Sequence, residues 1–168
     1  MLITQMKKAI SIFLIFLSTH GYGQNFILKN EEMIFSFNTK KGKQMVLAKD
    51  KTNEYIVYRF GTKEIVEFEF PEKNKNSWTA FKYSFYLRGG GVQNEGQDLN
   101  YISFTNKNIK YVIYDTYYAV GEKSEIGIKV TNLKTKKVVD IKGDYKTRKG
   151  TMADFRFNNL LEITEEEE

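Results

Sequence analysis

Two apolar-alternating runs meet across a glycine in YIVYRFGTKEIVEFEFP, Tyr55 to Pro71, and they restrict that stretch to sheet structure. Ile56, Tyr58 and Phe60 share one face of the first run, and Val66, Phe68 and Phe70 share one face of the second, as the two-residue period of a strand requires. The other face carries Tyr55, Val57, Arg59, Glu67 and Glu69. Both apolar sets reach the same side of a hairpin only if the loop has an odd number of residues. A Thr62 to Glu64 loop meets that condition and predicts Arg59 opposite Glu67.

The same period recurs along the chain. TAFKYSFYLR predicts Phe81, Tyr83, Phe85 and Leu87 inward, with Lys82, Ser84, Tyr86 and Arg88 outward. MIFSFN and QMVLA form an opening hairpin around Lys40, Lys41, Gly42 and Lys43, preceded by a short lead from Asn25 to Asn30. YISFT, KYVIYDTYY, EIGIKVT and VVDI follow, and Pro71 suits a strand end because it cannot donate to a ladder. KYVIYDTYY is apolar or aromatic on both faces and so belongs in the middle of a sheet. Nine strand segments with frequent turn signals predict an all-β fold, an antiparallel β-sandwich or small β-barrel of eight or nine strands. Ala153 to Leu161 reads as a short helix with Phe155, Leu160 and Leu161 on one side.

The first 23 residues read as a secretory signal peptide: Lys7 and Lys8, the apolar run Ala9 to Leu17, then the small residues Gly21 and Gly23. The apolar run is shorter than the roughly 20 residues a spanning helix needs, so no membrane anchor is expected. Cleavage after Gly23 would leave one domain, 24–164, and an acidic tail, Glu165 to Glu168, expected to be disordered. With no cysteine in the chain, neither a disulfide framework nor a lipid-modified cysteine is available. The expected location is the periplasm or the exterior. Net charge is +5, and loss of Lys7 and Lys8 reduces it by two, to +3. A charge this small, without a basic stripe or a nucleic-acid motif, excludes a nucleic-acid reader.

The only histidine is His20, inside the leader, so the remaining chain offers no Ser-His-Asp or Cys-His pair and no ordinary zinc ligand set. Carboxylate chemistry is what remains. Glu67 and Glu69 share a strand face about 7 Å apart, which describes a solvated face partnered by Arg59 or Lys63 rather than a cleft. Neither cofactor nor metal is implied, and the chain reads as a binding protein rather than an enzyme. Gly89, Gly90 and Gly91 serve either as an anion cradle or as a strand exit needing positive φ. The candidate partner-binding surface combines Tyr86, Arg88, Gly89, Gly90 and Gly91, the flexible loop through Asp98, and Arg148 with Lys149. Tyrosine and arginine are enriched in binding hot spots, and basic residues suit an acidic cleft. Against this stands a glycan reading, in which Tyr101, Tyr111, Tyr117 and Tyr118 line a stacking platform or simply pack with their hydroxyls at the rim.

At YRFGTKEIVEFEFP, FKYSFYLRGGG and YISFTNKNIKYVIYD the chain resembles a family of small secreted bacterial all-β proteins known mostly as uncharacterised products, over Phe35 to Ile141. That family often carries a cysteine near the final strand, where this chain has Asp140, Ile141, Lys142 and Gly143. The resemblance supplies no catalytic residues. YKTRKGTMADF, Tyr145 to Phe155, is similar to a loop of the periplasmic lysozyme inhibitors, although their serine-bearing loop has no counterpart here. This similarity implies an inhibitor or immunity module whose protein partner is a cell-wall hydrolase or secreted toxin.

Overall fold

In the computed structural model, residues 26–165 are described. The predicted leader, 1–23, lies outside them, and of the predicted tail only Glu165 lies within. Nine strands of five or more residues follow in order: β1 (Glu31–Asn38), β2 (Gln44–Asp50), β3 (Ile56–Gly61), β4 (Val66–Phe70), β5 (Phe81–Arg88), β6 (Gln97–Asn106), β7 (Ile109–Tyr118), β8 (Lys123–Asn132) and β9 (Val138–Lys142). Two-residue strands β10 (Lys149–Gly150) and β11 (Glu162–Ile163) complete the set. They form two sheets, ordered β10-β1-β2-β3-β4 and β11-β5-β6-β7-β8-β9. The architecture is a sandwich and not a closed barrel. Only the β11–β5 pair is parallel.

The inner faces are those the alternation predicts. Phe35, Phe37, Met45, Leu47, Ile56 and Tyr58 from the first sheet meet Phe81, Tyr83, Ile102, Phe104, Ile113 and Ile126 from the second, all buried. Aromatic rings concentrate at the centre: Phe104 stacks on Tyr111 at 4.7 Å and on Phe70 at 4.9 Å, with Tyr58 tilted at 5.0 Å. Phe68 packs on the same cluster, 5.4 Å from Tyr111. As predicted, β7 is central and β4 stops before Pro71.

The hairpin register departs from expectation. Arg59 lies opposite Glu69, and Phe60 opposite Phe68, with a bulge between Phe60 and Gly61. The loop is Thr62 to Ile65, one residue longer than predicted, and a Cβ on Gly61 would lie 2.0 Å from the Ile65 carbonyl oxygen. The pairing slides by two residues, so no side chain changes face. Glu67 pairs instead with Lys43.

The outer face of the first sheet is also not what alternation suggests. Arg59, predicted outward, is only 1% exposed. The lead that precedes β1 folds over this face, and Phe26 packs with Val46, Ala48, Tyr55 and Val57 in a second, smaller core. Arg59 donates from Nη1 to the Phe26 carbonyl at 2.9 Å, from both Nη atoms to Glu31 at 2.5 and 2.7 Å, and from Nε to Glu69 at 2.6 Å. Tyr55 donates to Glu31 at 2.9 Å, and Asn30 donates to Tyr55 at 3.0 Å and Asp50 at 2.8 Å. Hydrogen bonds from Thr52 and Asn30 hold the Asp50 carboxyl down to about 2. The predicted C-terminal helix is a 3-10 segment, Ala153–Phe157. Phe155 and Leu161 are buried beneath it, whereas Leu160 is exposed.

Two predictions follow from this packing. Phe81→Ala should cost about 3–5 kcal/mol in chemical denaturation, and a loss below about 1 kcal/mol would be incompatible with a fully buried Phe81. Burial raises the Glu31 carboxyl, but hydrogen bonds from Arg59, the Leu28 N–H and Tyr55 outweigh it and leave the carboxyl below its ordinary 4.5. A carboxyl depressed by folding stabilises fully above its unfolded value and loses that contribution as pH falls through its folded value. Thermal midpoints should therefore fall more steeply below about pH 4.5 for the parent than for Glu31→Gln. Parallel curves for the two proteins would contradict the assignment.

Candidate partner-binding surface

Tyr86 and Arg88 point outward from the end of β5, as predicted. The loop that follows, read from its glycines as flexible, carries its own hydrogen bonds. Asn94 donates to the Gly89 carbonyl at 2.8 Å and accepts from Arg88 at 3.2 Å; the Gly96 N–H reaches the Gly91 carbonyl at 2.8 Å. Gly90 and Gly91 have φ of 93° and 61°, which explains the glycine run by backbone geometry. The loop docks on the neighbouring β7–β8 turn through Ala119 N–H to the Gly96 carbonyl at 2.8 Å.

Asp98 and Arg148 have internal partners. Asp98 sits on the inner face of the second sheet, between Leu87 and Tyr117 in register. It accepts hydrogen bonds from Arg156 and, at 2.7 Å, from Asn100. Asn100 also accepts from Arg156 at 2.8 Å and from the Tyr83 hydroxyl at 2.6 Å. Burial raises Tyr83 above its ordinary value, only partly offset by Arg156, and its hydroxyl donates to Asn100. The Arg156 guanidinium lies 5.2 Å from the Phe85 ring. Arg148 donates from Nε and Nη2 to Asp115 at 3.0 and 2.6 Å and lies 5.6 Å from the Phe35 ring. Two guanidiniums on two inner-face aspartates thus pin the segment between them over the end of the sheet.

Lys149 is exposed but separate from Tyr86 and Arg88. It pairs with Ser36 and lines a groove with Ile27, Ser36 and Val46 on the outer face of the first sheet. Tyr86 projects from the outer face of the second. The sequence-predicted site is therefore split: Tyr86, Arg88 and the glycine loop cluster at one end, Asp98 and Arg148 are structural ties, and Lys149 lies across the sandwich. The tyrosine platform divides as well. Tyr111 and Tyr117 face inward, Tyr111 against the aromatic core, while Tyr101 and Tyr118 occupy the outer side of the same sheet.

What the sequence reading missed is an apolar end. Leu87, predicted inward, is 57% exposed because the first sheet does not cover this end of β5. Tyr117, on the same face two strands away, is exposed too, as are Val92 in the glycine loop and Val120 in the adjoining turn. Phe157, next to Arg156 and so tethered near Asp98, is 93% exposed. Several large apolar side chains exposed at one end of a sheet mark an interaction surface more often than a lone exposed leucine does. Arg88 and Tyr86 border this end. A signal existed only for Leu87 and Tyr117, whose alternation promised burial that no facing strand supplies.

Glu67 pairs with Lys43, and Glu69 with Arg59 and Lys73. Among the described residues no group of three or more His, Cys, Asp or Glu could hold a metal ion, and no helix is long and apolar enough to cross a membrane. Arg148→Ala should lower stability by about 1–3 kcal/mol by leaving the Asp115 carboxylate buried without its partner, while Lys149→Ala should leave it unchanged. Equal stability for both variants would show that the Asp115 contact is not formed in solution. Comparison with protein-family models, curated proteins and solved structures found no match to this chain.

Proposed function

We propose that this chain is an exported, non-catalytic binding protein of the inhibitor or immunity type, which engages a cell-wall hydrolase or secreted toxin through the apolar end of its second sheet. The observation that carries this reading is the exposure of Leu87, Val92, Tyr117, Val120 and Phe157 in the strand ends, loop and turns at the end of the second sheet that holds the Arg156–Asp98 tie. An aromatic residue that is 93% exposed beside a fixed guanidinium is positioned as an anchor for a partner pocket. Because the tie orders the segment before association, less conformational entropy is lost on binding. Tyr86 and Arg88 supply the polar rim. The leader-like N-terminus and the resemblance of Tyr145 to Phe155 to an inhibitor loop point the same way.

The reading is tested by capture from periplasmic and culture-medium fractions, followed by activity assays of any hydrolase or toxin recovered. Parent protein should bind and inhibit it, and Leu87→Asp with Phe157→Asp should weaken binding at least tenfold, about 1.4 kcal/mol, without lowering the thermal midpoint. Undiminished inhibition by the double variant would contradict the site. Binding to a glycan panel instead, abolished by Tyr101→Ala, would replace this reading with carbohydrate recognition.

A further inference from the structure

The flank of the sandwich farthest from the glycine loop carries a second surface. β9 is an edge strand capped at its far end, where Gly143 bridges Thr39, and before that cap its backbone alternates between its neighbour and open space. The Gly143 N–H bonds the Ile126 carbonyl of β8 at 2.9 Å, whereas the Lys142 carbonyl turns away and accepts from the Lys40 N–H at 3.2 Å. Antiparallel alternation then directs the N–H and C=O groups of Asp140 and Val138 to the open edge as well. Beside that edge, between the sheets, lies an apolar groove floored by Phe60, Val139 and Ile141. Lysines rim it. Lys40 and Lys41 are exposed and make no ion pair among the described residues, whereas Lys142 pairs with Asp140 at 3.1 Å and Glu125 at 3.6 Å and lies over the Tyr114 ring.

We infer that β9 accepts an extended acidic segment of a protein partner as an additional antiparallel or parallel strand, with alternating apolar and carboxylate side chains. Strand addition satisfies the edge backbone groups and places every second side chain in the groove. The remaining side chains meet the lysines, so carboxylates are the complementary chemistry. This surface is separate from the apolar end, and its failure would leave that proposal standing.

The test uses full-length protein and a fluorescein-labelled octapeptide of alternating Glu and Val, read by anisotropy and titrated to about 1 mM protein. Three controls accompany it: the Lys and Val counterpart, a Glu and Val peptide N-methylated at alternate residues, and phosphatidylglycerol vesicles. Saturable binding of the Glu and Val peptide is expected, with at least tenfold weaker binding of both peptide controls. Lys40→Glu with Lys41→Glu should abolish it without shifting the thermal midpoint, and Phe157→Asp should leave it unchanged. Absence of peptide binding, equal binding of the N-methylated peptide, or indifference to lysine reversal would each overturn strand addition. Lysine-dependent binding of the vesicles without peptide binding would overturn it in favour of a lipid surface.

Discussion

A single buried guanidinium closes the outer face of the first sheet. Arg59 reaches two carboxylates from opposite sides, Glu31 on β1 and Glu69 on β4, and takes the Phe26 carbonyl in addition. It therefore joins the lead, β1, β3 and β4, and it holds Phe26 over Val46 and Val57. A buried ion pair adds little over an apolar replacement of the same volume, because desolvation offsets attraction. Its effect is positional. The lead gives Arg59 the Phe26 carbonyl and Glu31 the Leu28 N–H, and a buried polar group that loses its partner costs more than a lost apolar contact. The lead is thus fixed in one place although its sequence has no period that would specify it.

The second sheet uses the same device at its end. Arg156 on Asp98 and Arg148 on Asp115 hold a segment with little regular structure against the strands. Between those ties Met152 and Phe155 enter the core, and just beyond them Phe157 faces solvent. Rigidity next to exposed apolar surface is the combination that a preorganised interface needs. It also explains why Asp98 and Arg148, legible in the sequence as polar and loop-borne, belong to the support of the surface rather than to its contact area.

The legible part of the fold was the part written in period two. Ile56, Tyr58, Phe81 and Tyr83 face inward because alternation leaves them no other face, and the nine longer strands follow from apolar runs bounded by turn residues. Register was not legible: the bulge at Phe60 and Gly61 depends on backbone geometry across a four-residue loop, which the apolar pattern does not encode. Arg59 was misplaced because alternation distinguishes two faces of a sheet but not whether a later or earlier segment covers the outer one. Leu87 was misplaced for the converse reason, since an inward face is buried only where the opposite sheet extends far enough. Phe157 carried no periodic signal, and the helix expected over Ala153 to Leu161 was argued from Phe155, Leu160 and Leu161 without it.

The proposed partner surface is the overhanging end of the second sheet, beside the Arg156–Asp98 tie. The most direct measurement is amide hydrogen exchange of the isotopically labelled protein, free and with its captured partner. Slowed exchange should concentrate in residues 86–99, 117–122 and 153–158, with the outer face around Tyr101 unchanged. Protection confined to that outer face, or spread evenly along the chain with no change at this end, would contradict the account.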